Sequence, residues 1–198
     1  MNAVAESSRS PRRRDWWLRA VAVLAHPRAT FAALREDSDE AAEARQEPIL
    51  AIIFLAGIAG VLSTTLAGRL MDDTAFDHLN VVVWAFIGGG IYGALVYFFG
   101  GLFVFALGRG IGASCSFRQA RHVVGLAAVP LVVSLVLVWP VRLAIYGDDV
   151  FRSGGSDTGA GDKVFELLVV ASFAWSLALV AVGLIELRKA SSSSSSIA

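Results

Sequence analysis

The chain has 198 residues, of which 56% are hydrophobic and only 17% charged, and its mean hydropathy is +0.63. Seventeen basic residues balance seventeen acidic ones, so the formal net charge is zero. This length suits one ordinary domain, and the apolar excess argues against a soluble globular class and for an integral membrane protein with no nucleic-acid partner. The single cysteine, Cys115, excludes an intrachain disulfide.

The amino-terminal stretch "SPRRRDWWLRA" sets Arg12, Arg13 and Arg14 before Trp16, Trp17 and Leu18. It superficially resembles an export signal, but the apolar stretch is interrupted by Arg19 and ended by His26-Pro27. A basic tail over 1–15 followed by an interfacial anchor is the expected reading. Trp17, Ala20, Val21 and Leu24 fall at helical spacing, and beyond Pro27 a second short amphipathic turn carries Phe31 and Leu34. Tryptophan prefers the headgroup level and arginine attracts anionic lipid, so two short helices on the cytoplasmic membrane surface are expected. The alternative is that this face packs on a partner or on the protein's own loops. The rest of the 16–48 segment, Asp37 to Glu47, is an acidic, alanine-rich linker.

Four apolar runs follow, at about 49–68, 79–107, 117–145 and 164–187. Each reaches the roughly 20 residues that cross about 30 Å of hydrocarbon at about 1.5 Å rise per residue. A backbone in lipid must satisfy its own hydrogen bonds, so the expected fold is all-α, a polytopic bundle of about four transmembrane helices over 49–187. The 79–107 run is long for one crossing and carries Gly88-Gly89-Gly90, where it could split in two. Its Ala85, Gly89 and Gly93, spaced by four, form a stripe that lets helix backbones approach closely, and Ala56 and Gly60 give a shorter version in the first run. Packing within the bundle is favoured over dimerisation.

The 117–145 run begins at "SFRQARHVVGLAAVP". Ser116 with Gln119 three residues later is a capping-box pattern. Arg118, Arg121 and His122 then oppose the helix macrodipole, and lipid phosphate and the inside-positive bias explain them better than helix stability does. Pro130 should kink this helix and free a carbonyl near Leu126. Arg142, after Pro140, is placed to pair with Glu166. The loop "YGDDVFRSGGSDTGAGD" lacks the spacing of a helix-loop-helix calcium site and of a phosphate-binding loop, and reads as solvated. Residues 188–198 end in "SSSSSSIA", a low-complexity tail expected to be flexible.

Charge asymmetry orients the chain. Four crossings with both termini in the cytoplasm place 13 basic residues inside and 4 outside, as the positive-inside rule requires. His26, His78 and His122 then alternate sides and form no common metal site. No catalytic or cofactor-binding constellation appears, and no ionisable residue lies near the middle of a run, which counts against an ion-coupled carrier. Cys115 is expected to be a plain thiol, although juxtamembrane cysteines are sometimes acylated.

Through "HPRATFAAL" before the membrane, "SFRQARHVVGLAAVP" and the runs around them, the chain resembles the Yip1 family of multi-pass membrane proteins in its bacterial branch. Eukaryotic relatives carry a Gly-Tyr pair where this chain has Gly125-Leu126, an acidic "DLYGP" motif that has no counterpart here, and usually five crossings. Their role with small GTPases is therefore not carried over. The resemblance implies an integral membrane protein of the cell membrane without a known catalytic activity. The surface helices, the small-residue stripe and the basic foot of the third run point to a non-enzymatic protein that acts by packing with other membrane proteins or a second copy of itself, or by organising its membrane lipids. The contact candidates are Trp16, Trp17, Arg118, Arg121 and His122. A small permease or channel subunit, with a path near Pro130 and Gly88 to Gly93, is the rival reading.

Overall fold

A computed structural model of the chain describes residues 15–156 and 159–194. The basic tail through Arg14, Asp157 of the glycine-rich loop and the last part of the serine tail lie outside the described residues. Helix α1 covers 15–22, and α2 covers Pro27–Ala32 with proline at its first turn, where its missing N–H costs nothing. Four long helices follow: α3, Asp39–Leu62; α4, His78–Gly110; α5, Phe117–Phe151; and α6, Ala160–Ser194. All four are long and apolar enough to cross a membrane, and no strand occurs among the described residues.

Several boundaries differ from the sequence reading. The supposed acidic linker is helical from Asp39. Ser38 Oγ accepts the Ala41 N–H at 3.3 Å, Asp39 and Glu40 stand in the first turn, and alanines continue the helix through Pro48. Acidic residues favour the positive amino end of a helix, and alanine is its best former. Helix α6 runs through Ser194, so the helix extends into the first part of the serine tail; nothing after Leu187 breaks the propagation.

The chain divides into two compact units. The first comprises residues 1–52, 97–129 and 177–198. Here Ile49 of α3 faces Gly125 of α5, and Gly183 of α6 faces Val123 of α5 and Phe31 of the amino-terminal segment. The second comprises residues 53–96 and 130–176. A buried cluster of Leu70, Val81, Trp139, Val150 and Phe151 is the core of that unit.

Helix α4 does not split at Gly88-Gly89-Gly90. A Cβ on Gly89 would lie 2.8 Å from the Ile58 nitrogen, and one on Gly93 would lie 2.5 Å from the Ile53 carbonyl oxygen. One on Gly57 would strike the Gly89 carbonyl oxygen and stand 2.8 Å from the Gly93 nitrogen. The two backbones meet so closely that the glycines are held as helix by the neighbour. Ala85, Gly89 and Gly93 are all buried in this contact. The irregularity falls later, where Val96–Gly100 forms a π-helical turn. In α5 the α-helical pattern stops after Ala127 and resumes at Val129, beside Pro130, whose ring nitrogen cannot donate to Leu126.

Gly57→Leu should therefore overpack the α3–α4 contact and destabilise the protein by at least about 2 kcal/mol. Thermal unfolding of the purified, detergent-solubilised protein measures this. Gly110→Ala, where a Cβ meets nothing within 4 Å, is the matched control. Equal midpoints for the two variants would contradict the backbone contact.

Candidate functional site

The site in the first unit is built on the start of α5. The Gln119 N–H donates to Ser116 Oγ at 3.0 Å, and Gln119 Oε1 accepts the Ser116 N–H at 2.9 Å, closing the capping box. The Ser116 hydroxyl then donates to Asp37 Oδ2 at 2.6 Å. Asp37 Oδ1 accepts Arg118 Nε at 2.9 Å and Arg45 Nη2 at 2.9 Å. Arg118 also donates to the Asp37 carbonyl and to Asp39, at 2.5 Å and 2.7 Å.

Arg45 lies at the centre with no exposed surface. Its three nitrogens take three separate acceptors: Nε donates to His122 Nδ1 at 2.8 Å, Nη1 to the Glu36 carbonyl at 2.7 Å, and Nη2 to Asp37. Because His122 Nδ1 accepts, the ring proton sits on Nε2. The Trp16 ring covers the guanidinium, with Arg45 Cζ 5.8 Å from its centroid. Gln119 Nε2 donates to the Leu34 carbonyl at 3.0 Å. Arg35 meets the nearly buried Glu186 of α6 at 3.1 Å, which Lys189 also reaches at 2.7 Å. These bonds fasten the 16–37 segment onto α3, α5 and α6.

Of the contact residues expected from sequence, Trp16 and His122 are buried within the chain, 7% and 3% exposed. Trp16 stacks over Arg45 and His122 accepts from it. The amphipathic face of α1 is rotated accordingly: Trp16 and Ala20, with Val23 in the turn that follows, pack inward, while Trp17, Leu18 and Val21 are exposed. Arg118 is held by Asp37 and Asp39. Arg121 lies among the rings of Phe117, Phe98 and Tyr97, with its Cζ 4.9 Å, 5.1 Å and 5.3 Å from their centroids. Its Nε has no hydrogen-bond partner among the described residues. The sequence reading missed Arg45 and Asp37 as a pair. The available signal was a lone arginine on the alanine-rich start of α3, which looked like one more inside charge.

In the second unit Arg142 pairs with Asp162, not with Glu166. Its Nε and Nη2 donate to the two carboxylate oxygens at 2.8 Å and 3.0 Å. Asp162 stands one turn before Glu166 on α6 and gives this two-point geometry. Beside it, Asp72 accepts the Ser153 hydroxyl at 2.6 Å and the Ser153 N–H at 2.8 Å. Those bonds hold the Asp72 carboxyl below the usual carboxylate range, and Arg69 and Arg152 act in the same direction. Among the described residues no group of His, Cys, Asp or Glu could hold a metal ion.

Four helices long and apolar enough to cross a membrane define a multi-pass α-helical membrane protein. The Yip1 domain matches residues 21–198, and the chain belongs to that family. No curated protein and no solved structure matches it.

Two expectations follow. Arg45→Met should cost about 3 kcal/mol, because removing one partner strands the others, and should speed tryptic cleavage at Arg28. Arg45→Lys should not restore resistance, since one ammonium cannot meet three divergent acceptors; wild-type resistance of either variant would refute the clasp. Separately, burial pushes the Cys115 thiol up, only partly opposed by its own backbone and Arg109. A maleimide reagent at neutral pH should therefore label it slowly in the folded protein and fully after denaturation.

Proposed function

We propose that the chain is a non-enzymatic, four-span protein of the cell membrane with both ends in the cytoplasm. It acts by packing with other membrane proteins or by organising the surrounding lipid. One observation carries this reading. In the most apolar window of α4 only 22% of residues are buried, and in α6 only 17%, against 56% in α3 and α5. Phe86, Ile91, Phe99, Phe103, Leu167 and Leu177 are each at least 59% exposed. Apolar faces of this extent need lipid or other helices as their solvent.

The segment over 16–48 supports the same reading. Trp17, Leu18 and Val21 are 41%, 66% and 66% exposed beside Arg19, the composition of a helix lying at the headgroup level. Residues 49–187 form the membrane part in this proposal, and Trp17 and Arg121 are its contacts to lipid or partner. Close packing of Gly89 and Gly93 on α3 favours this reading over a permease path along that segment.

Orientation is tested by reporter fusions after Asp73, Ser114, Gly155 and Ala190, which should read outside, inside, outside and inside. Any other order overturns the proposed topology.

A further inference from the structure

A cavity of about 410 Å³ opens in the second unit between the end of α3, the loop after it, α5 and the start of α6. Its volume is within the roughly 300–1,000 Å³ of small-molecule sites. The lining changes character from one end to the other. Arg69, Arg152 and Ser153 line it, Ser153 being held from behind by Asp72, while Val169, Val170 and Phe173 of α6 form an apolar wall. Below that wall α6 continues as exposed apolar surface through Val170 and Trp175, 55% and 48% exposed. A ligand filling this space is ionic at one end and apolar at the other.

The ionic end carries both signs. Arg142 is engaged at two points by Asp162. The side chains of Arg69 and Arg152 make no hydrogen bond among the described residues, and against the one carboxylate of Asp72 they leave a positive charge. Glu166, four residues after Asp162 and so on the same face of α6, adds a negative charge lining the same space. Two hydroxyls lining the same cavity have their protons committed elsewhere. Ser63 donates to the Ala59 carbonyl at 2.6 Å and Thr64 to the Val61 carbonyl at 2.7 Å, so what their oxygens have left is acceptor capacity, part of which on Thr64 takes the Ala67 N–H at 3.3 Å.

We infer that this cavity binds a phosphodiester that bears a primary ammonium group and an acyl chain, the chemistry of phosphatidylethanolamine. Arg69 and Arg152 take the phosphate, Glu166 with the Ser63 and Thr64 oxygens takes the ammonium, and the chain lies along Val169, Val170 and Phe173. The assignment rests on the membrane reading proposed above but not on the clasp at Arg45. A quaternary ammonium has no N–H to give these acceptors, so the site discriminates between headgroups of equal charge.

Native mass spectrometry of the full chain in detergent, titrated with dioleoyl phosphatidylethanolamine or dioleoyl phosphatidylcholine, tests this. Phosphatidylethanolamine should bind about tenfold more tightly, the loss expected when charge-assisted hydrogen bonds go unmade. Glu166→Gln should remove that preference while leaving phosphatidylcholine binding unchanged. Arg69→Gln combined with Arg152→Gln should weaken both lipids about tenfold. Arg109→Gln, outside the cavity, should change neither. Equal binding of the two lipids by the wild-type chain overturns the inference without any variant needing to fold. Displacement of bound lipid by millimolar inorganic phosphate also overturns it, and identifies a site for a soluble anion. A reversed reporter order would refute the topology while leaving the lipid ratio in detergent unchanged, so the two failures are distinguishable.

Discussion

A guanidinium with no exposed surface needs acceptors for its N–H groups, and Arg45 finds three of them on two pieces of chain, the Glu36–Asp37 segment and α5. Burying that charge costs several kcal/mol before any partner is counted. The Asp37 carboxylate, the Glu36 carbonyl and the His122 ring offset this cost only if all three are in place together. That requirement draws the amino-terminal segment, α3 and α5 into one arrangement. It also explains why Ser116, Arg118 and Gln119 are tied to the same short loop. In hydrocarbon surroundings the hydrophobic effect gives helices little reason to prefer each other. A satisfied polar cluster at their ends supplies the specificity that apolar packing lacks.

The clasp also changes the meaning of the charge count. Topology rules treat every arginine and lysine alike. Here Arg35, Arg45, Arg118 and Lys189 are each committed to a carboxylate of the chain. Much of the basic excess near the start of α5 is therefore structural. Arg121 differs, lying among three aromatic rings rather than against an acid. Rings satisfy a cation through their faces but accept no strong hydrogen bond, which accords with an Nε that has no hydrogen-bond partner among the described residues.

In the second unit the organising constraint is distance rather than charge. Gly57, Gly89 and Gly93 allow α3 and α4 to touch backbone to backbone. On the other side of this part of α4 large side chains stand bare: Phe86, Ile87 and Ile91 are 60%, 57% and 59% exposed. Small residues inward and large apolar residues outward is the arrangement expected where the surrounding solvent is lipid.

The four helices were legible in the sequence because the length of an apolar run and the hydrogen-bond needs of a buried backbone act locally. The capping box at Ser116 and the small-residue stripe of α4 were legible for the same reason, since each is a spacing along one helix. Gly88 to Gly90 and Pro48 could not be judged this way, because a neighbouring helix decides whether such residues break or continue their own. The pairings of Arg45 with Asp37 and His122, and of Arg142 with Asp162 rather than Glu166, were beyond reach. Periodicity states which face a residue occupies, not which other face meets it. The sequence by itself determined the class of protein, the number of apolar helices and where α5 starts. Only the tertiary structure decided which charges are buried and which way α1 turns its tryptophans, because those depend on acceptors many residues away along the chain.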